Sequence, residues 1–203
     1  MGRFTVCVPA GWLVKSDPVF RIFSFVQSAV KHSVYFHMAI SNRVDLNRSL
    51  CVKTALDRSE NLIMVDSDVV PLQPFDEVVQ YMKEDEKKAD VVVGVIASSL
   101  GVLVRPFVKG EEKFYVESAS MGFVYIPLKR LRELEIVDWY KVRPDVQFPM
   151  YFRYTSNMSE DGEFFERVTK KGWKVMADTR VKLVHVKSAE LSVDGEGKVK
   201  VSI

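Results

Sequence analysis

Four apolar residues, Leu62-Ile63-Met64-Val65, are cut off by two carboxylates, Asp66 and Asp68, with Ser67 between them. A short apolar run bounded by polar residues reads as a strand buried on both faces, the kind that builds parallel sheets. Its carboxyl end would present Asp66 and Asp68 at the edge where open α/β sheets bind ligands. Two carboxylates that close repel each other, and a divalent cation would remove the repulsion. Oxygen-loving Mg²⁺ or Mn²⁺ suits carboxylates and phosphates together, so the run implies a metal–diphosphate site. The alternative is a solvated acidic loop after a core strand, and the tripeptide alone leaves both open.

The surrounding pattern alternates. Phe4 to Val8 is a strand ending at Pro9-Ala10-Gly11. Asp17-Pro18 opens a helix, with Asp as N-cap and Pro at the first helical position; it is expected to reach about Lys31 and to bury Phe20, Phe23 and Val30. Val34 to Ile40 is a second strand. Asp45 begins a second helix with Leu46, Leu50 and Thr54 on one stripe. Pro74 starts a third, where Phe75, Val78, Val79 and Met82 fall at helical spacing. Asp90 to Ala97 is a fourth buried strand. Such alternation means a parallel sheet covered on both sides. Val102–Phe107, Lys113–Val116 and Ser120–Ile126 are shorter strands, expected as an antiparallel extension, and Pro127 to Leu134 is a short helix. Asp138 to Asn157 is aromatic and irregular, either a functional loop or a hydrophobic satellite under the sheet. Ser159 caps a helix to about Lys171. Strands at Lys174–Ala177 and Val181–Val186 follow, and Asp194-Gly195 suggests a closing hairpin. With no repeat or linker, residues 1–187 form one domain, and 188–203 are a hairpin or tail of it.

Charge narrows the function classes. The 203 residues are enough for one sizeable core, and 29 basic against 27 acidic residues leave a net charge of +2. The two signs are interspersed, so no nucleic-acid partner is expected. No apolar stretch approaches the roughly 18 residues of a membrane span. Met1-Gly2-Arg3-Phe4 leads straight into a strand pattern and does not read as a signal peptide. Cys7 and Cys51 are too few for a disulfide framework. They read as core thiols of a cytoplasmic protein, although the pair could bridge. Many charges with few Gln residues suit a hot-growing source.

Three further features carry chemistry. Ser159-Glu160-Asp161-Gly162-Glu163 places acids in the first turn of a helix, where each adds about 0.3–1 kcal/mol to helix stability. Alternatively one of them is a general base or substrate clamp, steadied by Phe164, Phe165 and Val168. His185 shares a strand face with Val181 and Leu183. It is a core histidine, or a ligand if that strand's end reaches Asp66 and Asp68. Arg48 lies early in the second helix; it is solubilising, or its guanidinium fork neutralises a diphosphate.

Taken in order, these pieces form a longer pattern. A first strand ends in Pro9-Ala10, then come Asn47-Arg48, Asp66-Ser67-Asp68, Ser120-Met121-Gly122-Phe123, Ser159-Glu160-Asp161 with Phe164-Phe165, Gly172-Trp173 and a late His185. The pattern resembles the GT-A class of nucleotide-sugar glycosyltransferases, with Asp66-Ser67-Asp68 in the place of its DXD motif, over residues 3 to 187. The brevity of the chain fits a compact archaeal or viral member, acting in the host-cell cytoplasm if viral.

The resemblance implies a single-domain, Rossmann-like α/β fold: a mixed, mostly parallel central sheet flanked by helices, with a small antiparallel extension. It implies a hexosyltransferase, inverting or retaining, moving a sugar from a nucleotide-diphosphate sugar to a hydroxyl of a sugar, protein or lipid acceptor. Pro9, Ala10, Arg48, Asp66, Ser67, Met121 and Gly122 would bind the donor. Asp68, with Asp66 and His185, would hold Mn²⁺ or Mg²⁺. Asp161, with Glu160 beside it, would activate the acceptor. The interval from Arg48 to Asp66 is slightly long for the class, and no Ala precedes Arg48.

Rival readings remain. A sugar-nucleotide nucleotidyltransferase shares the sheet and the carboxylates but normally carries a glycine-rich, lysine-bearing loop. Here Ala10-Gly11-Trp12-Leu13-Val14-Lys15 offers one glycine and one lysine. A haloacid-dehalogenase-type phosphatase usually places its Asp-x-Asp after the first strand, followed by Thr; Asp68 follows the third and precedes Val69. The last rival is a non-catalytic binding protein on a glycosyltransferase-like fold.

Overall fold

The computed structural model describes residues 2–12, 15–98, 101–186, 190–193 and 197–202. Strand β1 (Arg3–Ala10) leads into helix α1 (Ser16–Gln27), then β2 (Ser33–Ile40), α2 (Val44–Arg58) and β3 (Asn61–Val65). After the carboxylate turn come β4 (Val69–Pro71), α3 (Phe75–Asp85) and β5 (Val91–Gly94). Three two-residue strands follow, β6 (Ala97–Ser98), β7 (Gly101–Val102) and β8 (Val104–Arg105). Then come β9 (Lys113–Val116), β10 (Ser118–Ala119), β11 (Phe123–Ile126) and the short α4 (Leu128–Leu131). The chain closes with β12 (Asp138–Arg143), β13 (Val146–Met150), α5 (Glu160–Lys170), β14 (Val175–Asp178), β15 (Leu183–Val186), β16 (Glu190–Val193) and β17 (Val199–Ser202).

Seven strands form the central sheet in the order β2-β1-β3-β11-β5-β14-β9. β2, β1 and β3 are mutually parallel, as are β5 and β14. β11 is antiparallel to β3 and β5, and β9 is antiparallel to β14. The result is a mixed, mostly parallel, Rossmann-like α/β sheet. One expectation needs correcting here. The antiparallel strands do not merely extend the sheet, because β11 is inserted at its centre. All four of its residues, Phe-Val-Tyr-Ile, are buried, and a strand apolar on both faces is stable only where both faces are covered.

The covering follows the pleat. Leu62 and Met64 point to a core with Cys51, Val52, Phe164 and Phe165, whereas Ile63 and Val65 point to one with Ile22, Phe25, Phe75 and Val78. α3 presents Phe75, Val78, Val79 and Met82 as expected, all fully buried. α1 departs from expectation. It buries Pro18, Ile22, Phe25 and Val26, leaving Phe20 and Phe23 exposed at 72% and 43% and Val30 beyond the helix end at 81%. The helix starts at Ser16, so Asp17 is a first-turn acid and not the cap. It also stops four residues early, where the Asp76 carboxylate accepts the amides of Val30 and Lys31.

α2 buries a polar stripe, Asp45, Asn47, Arg48 and Ser49, beside Cys51, Val52 and Ala55; Leu50 and Thr54 are only partly covered. Cys51 is bonded to Cys7 of β1, which corrects the reading of two core thiols. The aromatic stretch from Asp138 is no irregular loop: β12 and β13 pair as an antiparallel hairpin, Tyr140 opposite Phe148. Ser159 caps α5 by accepting the Gly162 amide at 3.3 Å. A second sheet, β17-β16-β15-β4, sets β15 against β4 with His185 opposite Val69. The expected turn at Asp194-Gly195 lies outside the described residues, while its flanks β16 and β17 pair antiparallel.

Candidate active site

Two sheets meet at the carboxylate turn. β3 ends at Val65, and the Asp66 amide donates to the Gly122 carbonyl at 2.9 Å, tying the turn to the start of β11. The chain then reverses, with the Val69 amide on the Asp66 carbonyl at 2.9 Å, and enters β4. β15 pairs with β4, and the Val186 amide donates to the Asp68 carbonyl at 2.7 Å. That register carries His185 to Asp68: Nε2 lies 3.2 Å from Asp68 Oδ2, and Nδ1 lies 2.8 Å from the Ala97 carbonyl. Ser67 sits in the turn, partly exposed.

Gly122 is glycine for a reason of space. A Cβ there would come within 2.4 Å of Ile96 Cδ1, 3.2 Å of Val69 and 3.4 Å of Asp66 Oδ2. The backbone of Met121-Gly122 therefore lies directly on the turn. The Met121 amide in turn donates to Asp161 Oδ2 at 3.2 Å, so this segment links the carboxylate turn to the start of α5.

Arg48 joins the same groups from α2. Its Nη2 donates to Asp66 at 3.2 and 3.3 Å, and Nη1 donates to Glu160 Oε1 at 2.9 Å and abuts Asp161 Oδ1 as an ion pair. The guanidinium is 3% exposed, so its charge is already committed to three carboxylates; it does not stand open as a solubilising residue would. Its Nε is buried without a hydrogen-bond partner among the described residues. Burial, with Asp68 and Glu160 nearby, raises the Asp66 carboxyl above the usual carboxylate range, and the adjacent Arg48 opposes that shift.

Glu160 and Asp161, neighbours in sequence, differ in access. Glu160 is buried, and burial together with the neighbouring Glu160 carboxylate pushes the Tyr154 hydroxyl up to about 12. Asp161 keeps 23% of its side chain exposed. It borders a groove of about 460 Å³ lined by Val102 to Arg105, Ser118 to Ser120, Ser159 and Gly162. Asp161 can thus meet a ligand, whereas Glu160 is part of its support.

The end of β1 is held separately. Pro9 and Ala10 are buried, and the Ala10 carbonyl accepts Asn47 Nδ2 at 2.7 Å and the Ser41 amide at 3.2 Å. Asn47 Oδ1 accepts the Ser41 hydroxyl at 2.7 Å. Asn47 therefore clamps this turn one residue before Arg48 reaches the carboxylates. The structure so brings Arg48, Asp66, Glu160 and Asp161 into one cluster through Met121 and Gly122, with Asp68 and His185 as an adjoining pair. Two roles were not foreseen from the sequence: that of Ala97, which acts through its carbonyl, and the clamping role of Asn47. Only Asn47 had a signal, its place beside Arg48. Among the described residues no three His, Cys, Asp or Glu side chains gather closely enough to hold a metal by themselves.

No protein-family model and no curated protein matches the chain. Among solved structures, the crystal structure of A197 from STIV matches with a TM-score of 0.63 and 18% identity, over 99% of this chain and 94% of that one. S. aureus TarS matches with a TM-score of 0.47 and 14% identity, over 87% of this chain and 35% of TarS. At 18% identity the likeness to A197 is one of fold, and it spans nearly the whole of both chains.

Proposed function

We propose that this protein is a metal-dependent glycosyltransferase that moves a sugar from a nucleotide-diphosphate sugar to an acceptor hydroxyl. One observation carries the reading: Asp66, at the carboxyl end of β3, lies in one connected cluster with a groove-facing carboxylate, Asp161, through Arg48 and Met121, and Asp68 with His185 adjoins it two residues on. The carboxylates proposed for the metal and the proposed base thus come from elements more than ninety residues apart in sequence.

The pair Asp68–His185 suits a divalent cation. When Nδ1 carries the proton and donates to the Ala97 carbonyl, Nε2 and the Asp68 carboxylate face each other as two acceptors at 3.2 Å. Such a contact calls for a proton or a cation between them, and second-layer carbonyls orient metal-binding histidines in this way. Asp68 and His185 would hold Mn²⁺ or Mg²⁺, with diphosphate oxygens and water completing the shell, as is usual for these ions. The ion, when bound, neutralises charge growing on the diphosphate leaving group. Asp66, partly exposed and beside this pair, would contact the donor. The Met121-Gly122 backbone, which closely abuts Asp66, would form the floor under the donor sugar. Asp161 would take the acceptor's hydroxyl proton from the groove side, as a positioned general base. Arg48 fixes Asp161 and Asp66 relative to each other.

The test is calorimetry with nucleoside diphosphates, their sugars and nucleoside triphosphates, each with and without Mn²⁺. Binding of diphosphates and diphosphate sugars that requires the metal supports the reading. Preference for triphosphates would favour nucleotidyl transfer, and no binding at all a non-catalytic role.

A further inference from the structure

The outer edge of the central sheet is a long strand without charge or proline. β2 is the terminal strand, eight residues long, and pairs only with β1 among the described residues. The Ser33 amide donates to the Gly2 carbonyl and the Ser41 amide to the Ala10 carbonyl. Odd-numbered residues therefore turn their backbone groups toward β1. In a strand the direction alternates, so Val34, Phe36, Met38 and Ile40 direct their amides and carbonyls outward. Natural edge strands are usually blunted by charge, proline or brevity. Ser-Val-Tyr-Phe-His-Met-Ala-Ile has none of these.

We infer that two copies pair antiparallel through β2 about a two-fold axis at His37, giving one continuous fourteen-stranded sheet from two sheets of seven. The register follows from the backbone. With His37 on the axis, Val34 of one copy meets Ile40 of the other, and Phe36 meets Met38. All four outward residues of each copy then exchange both hydrogen bonds. A two-fold interface is self-complementary, and a strand without fixed charge sets no like charges against each other across the axis. The flanking surface matches: α1 places the exposed Phe23 ring against Phe36 at 5.8 Å, with exposed Phe20 one turn earlier. Taking about 200 Å² for each aromatic side chain, the exposed parts of Phe20, Phe23 and Tyr35 give about 300 Å² per copy. The edge itself is about 26 Å long at 3.3 Å per residue. The apolar part is about half of the roughly 600 Å² per partner at the lower bound of stable interfaces, and the backbone edge with its flanking side chains must supply the rest.

The experiment combines mass in solution with a register-specific crosslink. By light scattering at about 50 μM the wild type is expected to be a dimer. His37 would sit in a non-hydrogen-bonded pair, whose Cα atoms are about 4.5 Å apart, within disulfide range. His37→Cys should therefore give a covalent dimer on mild oxidation, and Tyr35→Cys, about 13 Å from its counterpart in this register, should not. Met38→Pro removes an outward amide and keeps every β1–β2 bond, so it should yield folded monomer. Ile40→Lys, at a half-exposed position, should do the same. A monomeric wild type would overturn the inference. So would a dimer that His37→Cys does not lock, or one that survives both Met38→Pro and Ile40→Lys.

Discussion

Replacing Arg48 with methionine tests how the candidate site is held together. The side chain keeps much of its length and loses its charge, leaving Asp66, Glu160 and Asp161 facing one another. Arg48 is 3% exposed and Glu160 6%, so that pair is buried, and removing one partner of a buried pair costs about 3–5 kcal/mol. For a domain of this size each kcal/mol moves Tm by about 2–4 °C, so Arg48→Met should melt roughly 6–20 °C lower at pH 7.5. The pH dependence fixes the cause. Asp66 is already raised above its ordinary value with Arg48 opposing the shift, and without Arg48 it rises further. A carboxyl raised in the folded state contributes stability that is complete below its unfolded pKa and lost as pH climbs through the folded one. The deficit of Arg48→Met should therefore shrink as pH falls toward 4. Thermal melts of both proteins from pH 4 to 8 measure it. A deficit of the same size at every pH would show that Arg48 acts by packing alone, and no deficit at pH 7.5 would refute the buried cluster.

The remaining predictions concern the scaffold and the metal. The Cys7–Cys51 bond closes a 44-residue separation, worth about 4 kcal/mol on the chain-entropy estimate. Urea unfolding with reductant should show that loss, and equal stability would mean the thiols are not joined. Burial and a hydrogen bond with Asp178 push the Asp85 carboxyl up to about 6, against its pairing with Lys113. Its stabilising contribution is thus complete below about pH 3.8 and lost through about pH 6. Asp85→Asn should therefore compare more favourably with the wild type at pH 7.5 than at pH 4 in thermal melts; a variant that compares worse at pH 7.5 than at pH 4 would count against this. His185→Ala should abolish the Mn²⁺-dependent part of nucleotide binding by calorimetry while keeping the fold, and unchanged metal dependence would remove His185 from the site.

How much was legible in the sequence varies with the range of the interactions. Local signals served well: the helical spacing of Phe75, Val78, Val79 and Met82, the Ser159 cap, and the apolar run ending at Asp66. Elements fixed by tertiary partners did not follow from pattern. β11 was readable as a strand, but only its pairing with both β3 and β5 shows that it divides the sheet. Phe20 and Phe23 looked like core because spacing cannot say which side of α1 meets the sheet. Asp138 to Met150 looked irregular because β12 is exposed almost throughout and carries no buried-face alternation, so only its pairing with β13 shows the hairpin. At the candidate site the residue types were visible and their geometry was not. Arg48 could be matched to a donor contact, but its burial among three carboxylates depends on α5, more than a hundred residues later. The Ala97 carbonyl carries no motif, since it acts on His185, which only folding brings close.

Sugar transfer itself is the decisive measurement. Purified wild type and Asp161→Asn are given labelled nucleotide-diphosphate sugars with Mn²⁺, and sugar release or transfer is followed alongside donor affinity and Tm. The account predicts metal-dependent turnover by the wild type. In Asp161→Asn, donor affinity and fold should be kept while turnover falls by about 10²–10⁴, the usual share of general-base catalysis. Turnover retained in Asp161→Asn, with stability lowered by only about 0.3–1 kcal/mol as for a helix-end acid, would contradict the role given to Asp161. No turnover and no metal-dependent donor binding by the wild type would contradict the account as a whole.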